Sequence, residues 1–274
     1  IGIQTTTKSV QETIQRKQSN QKLFETIQRL VEQDRIHFHC DLIFGLPGET
    51  LEHIKESFCQ VMALRPHELQ LGFLKFLPGA PINNLVEKHQ YRYQSTPPYE
   101  LISHQELSAK EVLYLKQFVD IFDRYYNSKR FRFSINALLE KMDPVTLFNR
   151  LLEYHDSHAL LMNPVSLDEH YRIFRDTFYP DPTPMEQDLL KLDYLYSQRS
   201  FRLPGILSTK PPAKTWKKDR KTPIIPFDHE IEISGSQALL KEAKHPVYYA
   251  IAHSQNGDGY FRRPTVNAIS EPEA

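Results

Sequence analysis

The sequence predicts an α/β fold at its start, a mainly α region after it and a short β-prone tail. Three observations carry that expectation. Strand-like apolar runs alternate with helical stripes up to about residue 85, which is the signature of parallel β/α units. After Pro97-Pro98, strand signals stop for about a hundred residues while helix-start signals recur. From Leu203 onward the chain turns Pro-rich and basic, with only short β-prone stretches. The expected division is therefore residues 1–85, 86–202 and 203–274.

Taken in order, Ile1-Gly2-Ile3-Gln4 reads as the inside of a strand, so Ile1 is not expected to be the natural start of the protein. Ser9-Val10-Gln11-Glu12 has the form of a capping box opening a short helix. Leu23, Phe24, Ile27, Leu30 and Val31 then share one face of a helix that follows Asn20. Ile36 to Phe44 reads as a buried strand ending in the turn Gly45-Leu46-Pro47-Gly48, and Thr50 starts a helix striped by Leu51, Ile54, Phe58, Val61 and Met62. A strand from Glu68 to Phe76 stops at Pro78-Gly79.

In the helical region, capping boxes are read at Ser108 to Glu111, Ser166 to Glu169 and Thr183 to Glu186, and Asp143-Pro144 is a further start. The helix after Ser108 carries Val112, Leu115, Val119, Phe122 and Tyr126 at core-packing spacing. In the tail, Glu230 to Ile233 and Val247 to Ile251 are β-prone and expected to pair as a hairpin.

The 274 residues balance 34 basic against 34 acidic side chains, so no global field draws the chain to nucleic acid or to an anionic membrane. No apolar run approaches the roughly 20 residues that span a bilayer, and a cytoplasmic location is expected. The two cysteines, Cys40 on a strand and Cys59 on a helix, read as small buried residues rather than a disulfide.

Side chains at strand ends of a β/α fold share one mouth, and Gln4, Arg16 and Asp41 are the polar residues placed to reach it. A carboxamide, a guanidinium and a carboxylate together suit a zwitterionic ligand such as an amino-acid moiety. Lys75 is a further candidate for the mouth. Two other readings stay open. His37, His39 and Asp41 alternate along one strand and so form a candidate divalent-metal set, as in a metal-dependent hydrolase. Lys210, Lys214, Lys217, Lys218, Arg220 and Lys221 crowd around Trp216, which would suit a helical docking module with an RNA- or peptide-binding loop.

Gly2-Ile3-Gln4, then Ile14-Gln15-Arg16-Lys17, then Asp41 to Thr50 resemble, in order and spacing, the fourth and fifth β/α units of radical S-adenosylmethionine (SAM) enzymes. The likeness is to oxygen-independent coproporphyrinogen oxidases and cobalamin-associated radical SAM proteins. Leu69 to Pro81 resembles the sixth strand and its Pro-Gly-Ala-Pro ending. The resemblance implies the C-terminal half of a partial (β/α)6 barrel followed by a helical domain. It implies SAM contacts for Gln4, Arg16 and Asp41. It also implies a [4Fe-4S] cluster, with cobalamin admitted through an upstream domain, acting on an unknown substrate. The cluster ligands C-x3-C-x2-C are absent from these residues, as expected for a fragment whose upstream part holds them, and the chain alone is expected to be inactive.

Overall fold

The computed structural model describes residues 1–33, 37–197, 203–208, 224–234, 237–252 and 265–269. The basic loop around Trp216 lies outside the described residues, as does Ile36. The chain divides into two compact units, one of residues 1–127 and 143–152, the other of residues 128–142 and 153–274.

In the first unit, strands β1 (Gly2–Gln4), β2 (His39–Phe44) and β3 (Glu68–Phe73) form a parallel sheet in the order β1-β2-β3. Helices α1 (Lys8–Thr13) and α2 (Asn20–Gln33) connect β1 to β2, and α3 (Leu51–Ala63) connects β2 to β3. Ile3, Cys40, Leu42, Phe44, Leu69 and Leu71 are buried on one face of the sheet, with Val10, Ile27, Ile54, Phe58 and Val61 of the helices in the same core. The alternate residues, Gly2, Gln4, His39, Asp41, Ile43, Glu68, Gln70 and Gly72, are half-buried or exposed.

The strand expected to continue to Phe76 instead changes partner. After Phe73, Leu74 N–H still reaches Phe44 O at 3.0 Å, but Lys75 bridges antiparallel to Glu100 and Phe76 N–H donates to Tyr99 O. A small antiparallel pair, β4 (Arg92–Tyr93) with β5 (Leu101–Ser103), follows. Leu101 rests against Gly45, where any Cβ would fall 2.0 Å from its Cδ2, and Gly45 has φ +84°. Both facts require glycine at that turn.

Helix α4 (Ala109–Phe122) is closed at its start by the expected reciprocal cap, Ser108 N–H to Glu111 Oε2 at 2.7 Å and Glu111 N–H to Ser108 Oγ at 3.3 Å. It ends in a π turn over Asp123–Asn127. The wider turn rotates the pattern, so Tyr125 is the fully buried residue and Tyr126 instead donates to Pro66 O. The carboxamide of Asn127 both accepts from Leu69 N–H and donates to Leu69 O, engaging the outer edge of β3 as a strand would.

The second unit contains α5 (Arg132–Leu139), the last part of α6 (Pro144–Ser157), α7 (Leu167–Phe178) and α8 (Pro184–Ser197). Thr183 and Glu186 cap α8 reciprocally, whereas Ser166 caps α7 alone because Glu169 turns to Arg172. Strands β6 (Ile224–Ser234), β7 (Gln237–Ala252) and β8 (Thr265–Ile269) form an antiparallel sheet. Its hairpin is longer than the expected short tail, and Glu230 to Ile233 pairs with Ala238 to Lys241 rather than with Val247 to Ile251. Pro226, Pro246 and a register shift between Phe227 and His229 disguise the alternation. Phe133, Leu189, Leu192, Leu195, Ile225 and Phe227 make the core between α5, α8 and this sheet.

One helix start also differs from expectation. The Ser9 box does not form, because α1 begins at Lys8 with Thr7 as its N-cap and Ser9 lies inside the helix.

Candidate functional site

Gly2 is the point where the three predicted site residues meet. Gln4 closes β1 with φ +68°, a left-handed conformation that a non-glycine residue holds only at a cost. That bend lays its carboxamide back over Gly2: a Cβ there would lie 2.5 Å from Gln4 Nε2 and 3.9 Å from Asp41 Oδ2. Glycine at this position therefore leaves room for both polar groups. Asp41 stands opposite Gly2 in the register of β1 with β2, and opposite Gln70 in the register of β2 with β3.

Arg16 is held differently. Its Nη2 donates to Gly2 O and its Nε to Gln18 Oε1 at 2.9 Å, which ties the start of the sheet to the segment after α1. The brace continues through a polar chain. Gln18 Nε2 donates to Asn20 Oδ1, which also accepts from Gln11 Nε2 at 2.8 Å. Gln11 also donates to Thr5 O and Asn20 to Thr6 O, while Ser57 on α3 takes Thr6 N–H at 3.1 Å. This network fixes the backbone that leaves β1. Sequence reasoning missed it because its partners lie up to 51 residues apart.

A second buried carboxylate sets the turn after β2. Glu49, 1% exposed, accepts from the N–H groups of Gly45 at 3.0 Å and Leu46 at 3.2 Å, and Tyr91 OH donates to Gly45 O. Burial pushes the Glu49 carboxyl up to about 8, against its hydrogen bonds to Leu46, Thr5 and Gly45. Because the folded value lies above the ordinary one near 4.5, the stabilisation is complete at low pH and lost as pH rises toward 8. Asp193, buried and bonded to Phe133 and Ser134 N–H, is pushed up to about 7 by burial and acts with the same sign. Stability should therefore fall between about pH 5 and pH 8, at up to ~1.4 kcal/mol per pH unit for each group. Glu49→Gln keeps an acceptor but cannot ionise, so urea denaturation across this range should give it a visibly shallower slope. An equal slope in both proteins would remove Glu49 as a source.

The histidine set differs from expectation in its third member. His37 precedes β2 and His39 opens it, but the carboxylate that joins them is Glu68, the cross-strand partner of His39, and not Asp41. The signal that would have found it is the β2–β3 register, which the alternation of one strand does not contain.

Neither cysteine suits a cluster. Cys40 is buried in β2 with its thiol pushed up to about 11 by burial, and the Cys59 thiol on α3 is raised for the same reason. Their separation in the sequence also matches no iron–sulfur ligand run. No helix among the described residues is long and apolar enough to cross a membrane.

Comparison with known proteins gives the class first. The chain is similar to the cobalamin-dependent radical SAM methyltransferase TokK of Streptomyces tokunonensis, 30% identical over 98 residues, covering 35% of this chain and 14% of that protein. It is similar to the heme chaperone HemW of Bacillus subtilis strain 168, 29% identical over 116 residues, 42% of this chain and 29% of that protein. A 45-residue stretch is 47% identical to biotin synthase of Arthrobacter sp. strain FB24, covering 16% of this chain and 12% of that protein. The chain spans less than a third of the length of each, and the matches relate it to the radical SAM superfamily at low identity. Residues 87–228, just over half of the chain, match the family described as protein of unknown function DUF4080, and the chain belongs to that family.

Proposed function

We propose that this chain is the later part of a radical SAM enzyme, with residues 1–85 forming the last β/α units of a partial (β/α)6 barrel. In this reading the mainly helical region after residue 85 lies outside the barrel, with the β6–β8 sheet packed on α5 and α8. The observation that carries it is the half-open parallel sheet. Parallel sheets are ordinarily covered on both faces, yet Gln4, Asp41 and Gln70 line a face that stays half-buried or exposed. Such a polar face suits the interior of a barrel whose other strands lie elsewhere in a longer protein. The edge of β3 supports its place as a last strand, since Asn127 engages it where a further strand would pair.

SAM, when bound, would supply the 5′-deoxyadenosyl group. The residues here would hold it: Arg16 toward the methionine carboxylate, Asp41 accepting from its ammonium or from a ribose hydroxyl, and Gln4 adding a carboxamide beside them. The cysteines present do not fit a [4Fe-4S] cluster, so its ligands, and any cobalamin domain, belong to the upstream part of the protein in this reading. The substrate is left open, and the formal charge of zero argues against nucleic acid.

The test is to extend the reading frame upstream and reconstitute iron and sulfide in the longer protein. A C-x3-C-x2-C motif in frame and reductive release of 5′-deoxyadenosine from SAM are expected. A longer frame without that motif would defeat the proposal.

A further inference from the structure

At the N-terminal ends of β2 and β3, a second set of side chains converges. His39 opens β2, Glu68 opens β3, and the parallel register sets them side by side. His37, two residues before His39, turns its ring to the same side. Nδ1 of His37 lies 3.0 Å from Nε2 of His39, which lies 3.5 Å from Oε2 of Glu68. One donor atom from each of the three lies within 4.8 Å of the other two.

A tetrahedral ion with bonds of about 2.0–2.1 Å holds its ligand atoms roughly 3.3–3.5 Å apart. Two of the separations are near that value. Two imidazoles and one carboxylate favour a zinc-class ion, whereas magnesium and calcium take oxygen ligands. The surroundings help to orient the set. His67 packs its ring on His37 with centroids 5.1 Å apart, and its Nδ1 accepts from Phe38 N–H at 3.4 Å, which steadies the segment between the two histidines.

Position decides the role. The three residues lie at the N-terminal ends of their strands, about 16 Å of strand away from the edge where β/α folds carry out chemistry. An ion there would join the segment leading into β2 to the start of β3, with His39 two residues before Asp41 on the same strand. We propose that His37, His39 and Glu68 form a zinc-class metal site that staples the N-terminal ends of β2 and β3, with solvent completing the coordination. The site does not depend on the SAM reading and stands or falls separately from it.

The test uses the 274-residue chain itself, stripped with a chelator and titrated with zinc alone against a chromophoric competitor, then with cobalt for its visible spectrum. One ion per chain, a tetrahedral cobalt spectrum and a zinc-dependent rise in melting temperature are expected, because an ion bound only by the folded state stabilises it. His39→Ala and the near-isosteric Glu68→Gln should each weaken zinc at least tenfold, with far-UV circular dichroism confirming that both fold. Asp41→Asn should leave zinc affinity unchanged. Absence of stoichiometric zinc, or wild-type zinc affinity in His39→Ala or Glu68→Gln, would overturn the site. A loss in Asp41→Asn matching that in Glu68→Gln would overturn the assignment of its carboxylate.

Discussion

Replacing Asp188 by Ala is expected to destabilise the second unit by about 3–5 kcal/mol, the range for breaking a buried ion pair from one side. Asp188 is fully buried on α8 and collects four donors. Its Oδ1 lies 2.9 Å from Lys191 Nζ, one turn along the same helix. Its Oδ2 accepts from Asp228 N–H at 2.7 Å, His229 N–H at 3.1 Å and His229 Nδ1 at 3.0 Å. Lys191 is itself only 1% exposed, and its ammonium lies 5.4 Å from the centre of the Phe227 ring. Alanine would remove the counter-ion of a buried cation and the acceptor of two β6 amides together. Asp188→Asn, which keeps an acceptor oxygen for those amides, should cost less than alanine. Chemical denaturation followed by circular dichroism measures both. A loss below about 1 kcal/mol for alanine would mean that the cluster does not hold α8 to β6.

That cluster illustrates where the sequence is legible and where it is not. The β/α alternation up to Phe73 follows from apolar spacing alone, since Ile54, Phe58 and Val61 face inward at helical intervals and Cys40, Leu42 and Phe44 at strand intervals. The caps at Ser108 and Thr183 are local, four-residue hydrogen-bond exchanges, and their residues announce them. What spacing does not reveal is pairing over distance. Asp188 meets His229 across 41 residues and Glu68 meets His39 across a strand register. The Ser9 box failed for a related reason. Thr7 lies closer to the bend that ends β1, and Ser57 anchors that bend from α3, so the helix starts one residue before Ser9. Of the site itself, Gln4 was visible at a strand end and Asp41 within a strand, whereas Arg16, expected on the helix between them, lies beyond the end of α1. Their common neighbour Gly2 was not, because it follows from the bend at Gln4.

Substituting Arg16 should produce the second large effect. In a longer protein able to bind SAM, Arg16→Ala should weaken SAM by about 1–3 kcal/mol, roughly 5- to 150-fold, the range for losing a charged hydrogen-bonding partner. Part of that loss would come through the fold, because Arg16 also braces Gly2 O and Gln18. A Lys at this position restores the charge but not the forked geometry, and should recover only part of the affinity. A melting temperature lowered in Arg16→Ala while SAM affinity stays unchanged would assign the residue to the brace alone. Asp41→Asn, whose carboxylate has no hydrogen-bonded partner among the described side chains, should weaken SAM without lowering stability.

Gln4 separates fold from site most cleanly, since its carboxamide makes no hydrogen bond to another described residue and its removal should leave the sheet intact. The most direct measurement is the SAM dissociation constant of the upstream-extended, cluster-bearing protein, determined by equilibrium dialysis for wild type and Gln4→Ala. If the half-open face of β1–β3 is the SAM-facing wall, Gln4→Ala binds SAM at least about fivefold more weakly at an unchanged melting temperature. Wild-type SAM affinity in a folded Gln4→Ala protein would contradict it.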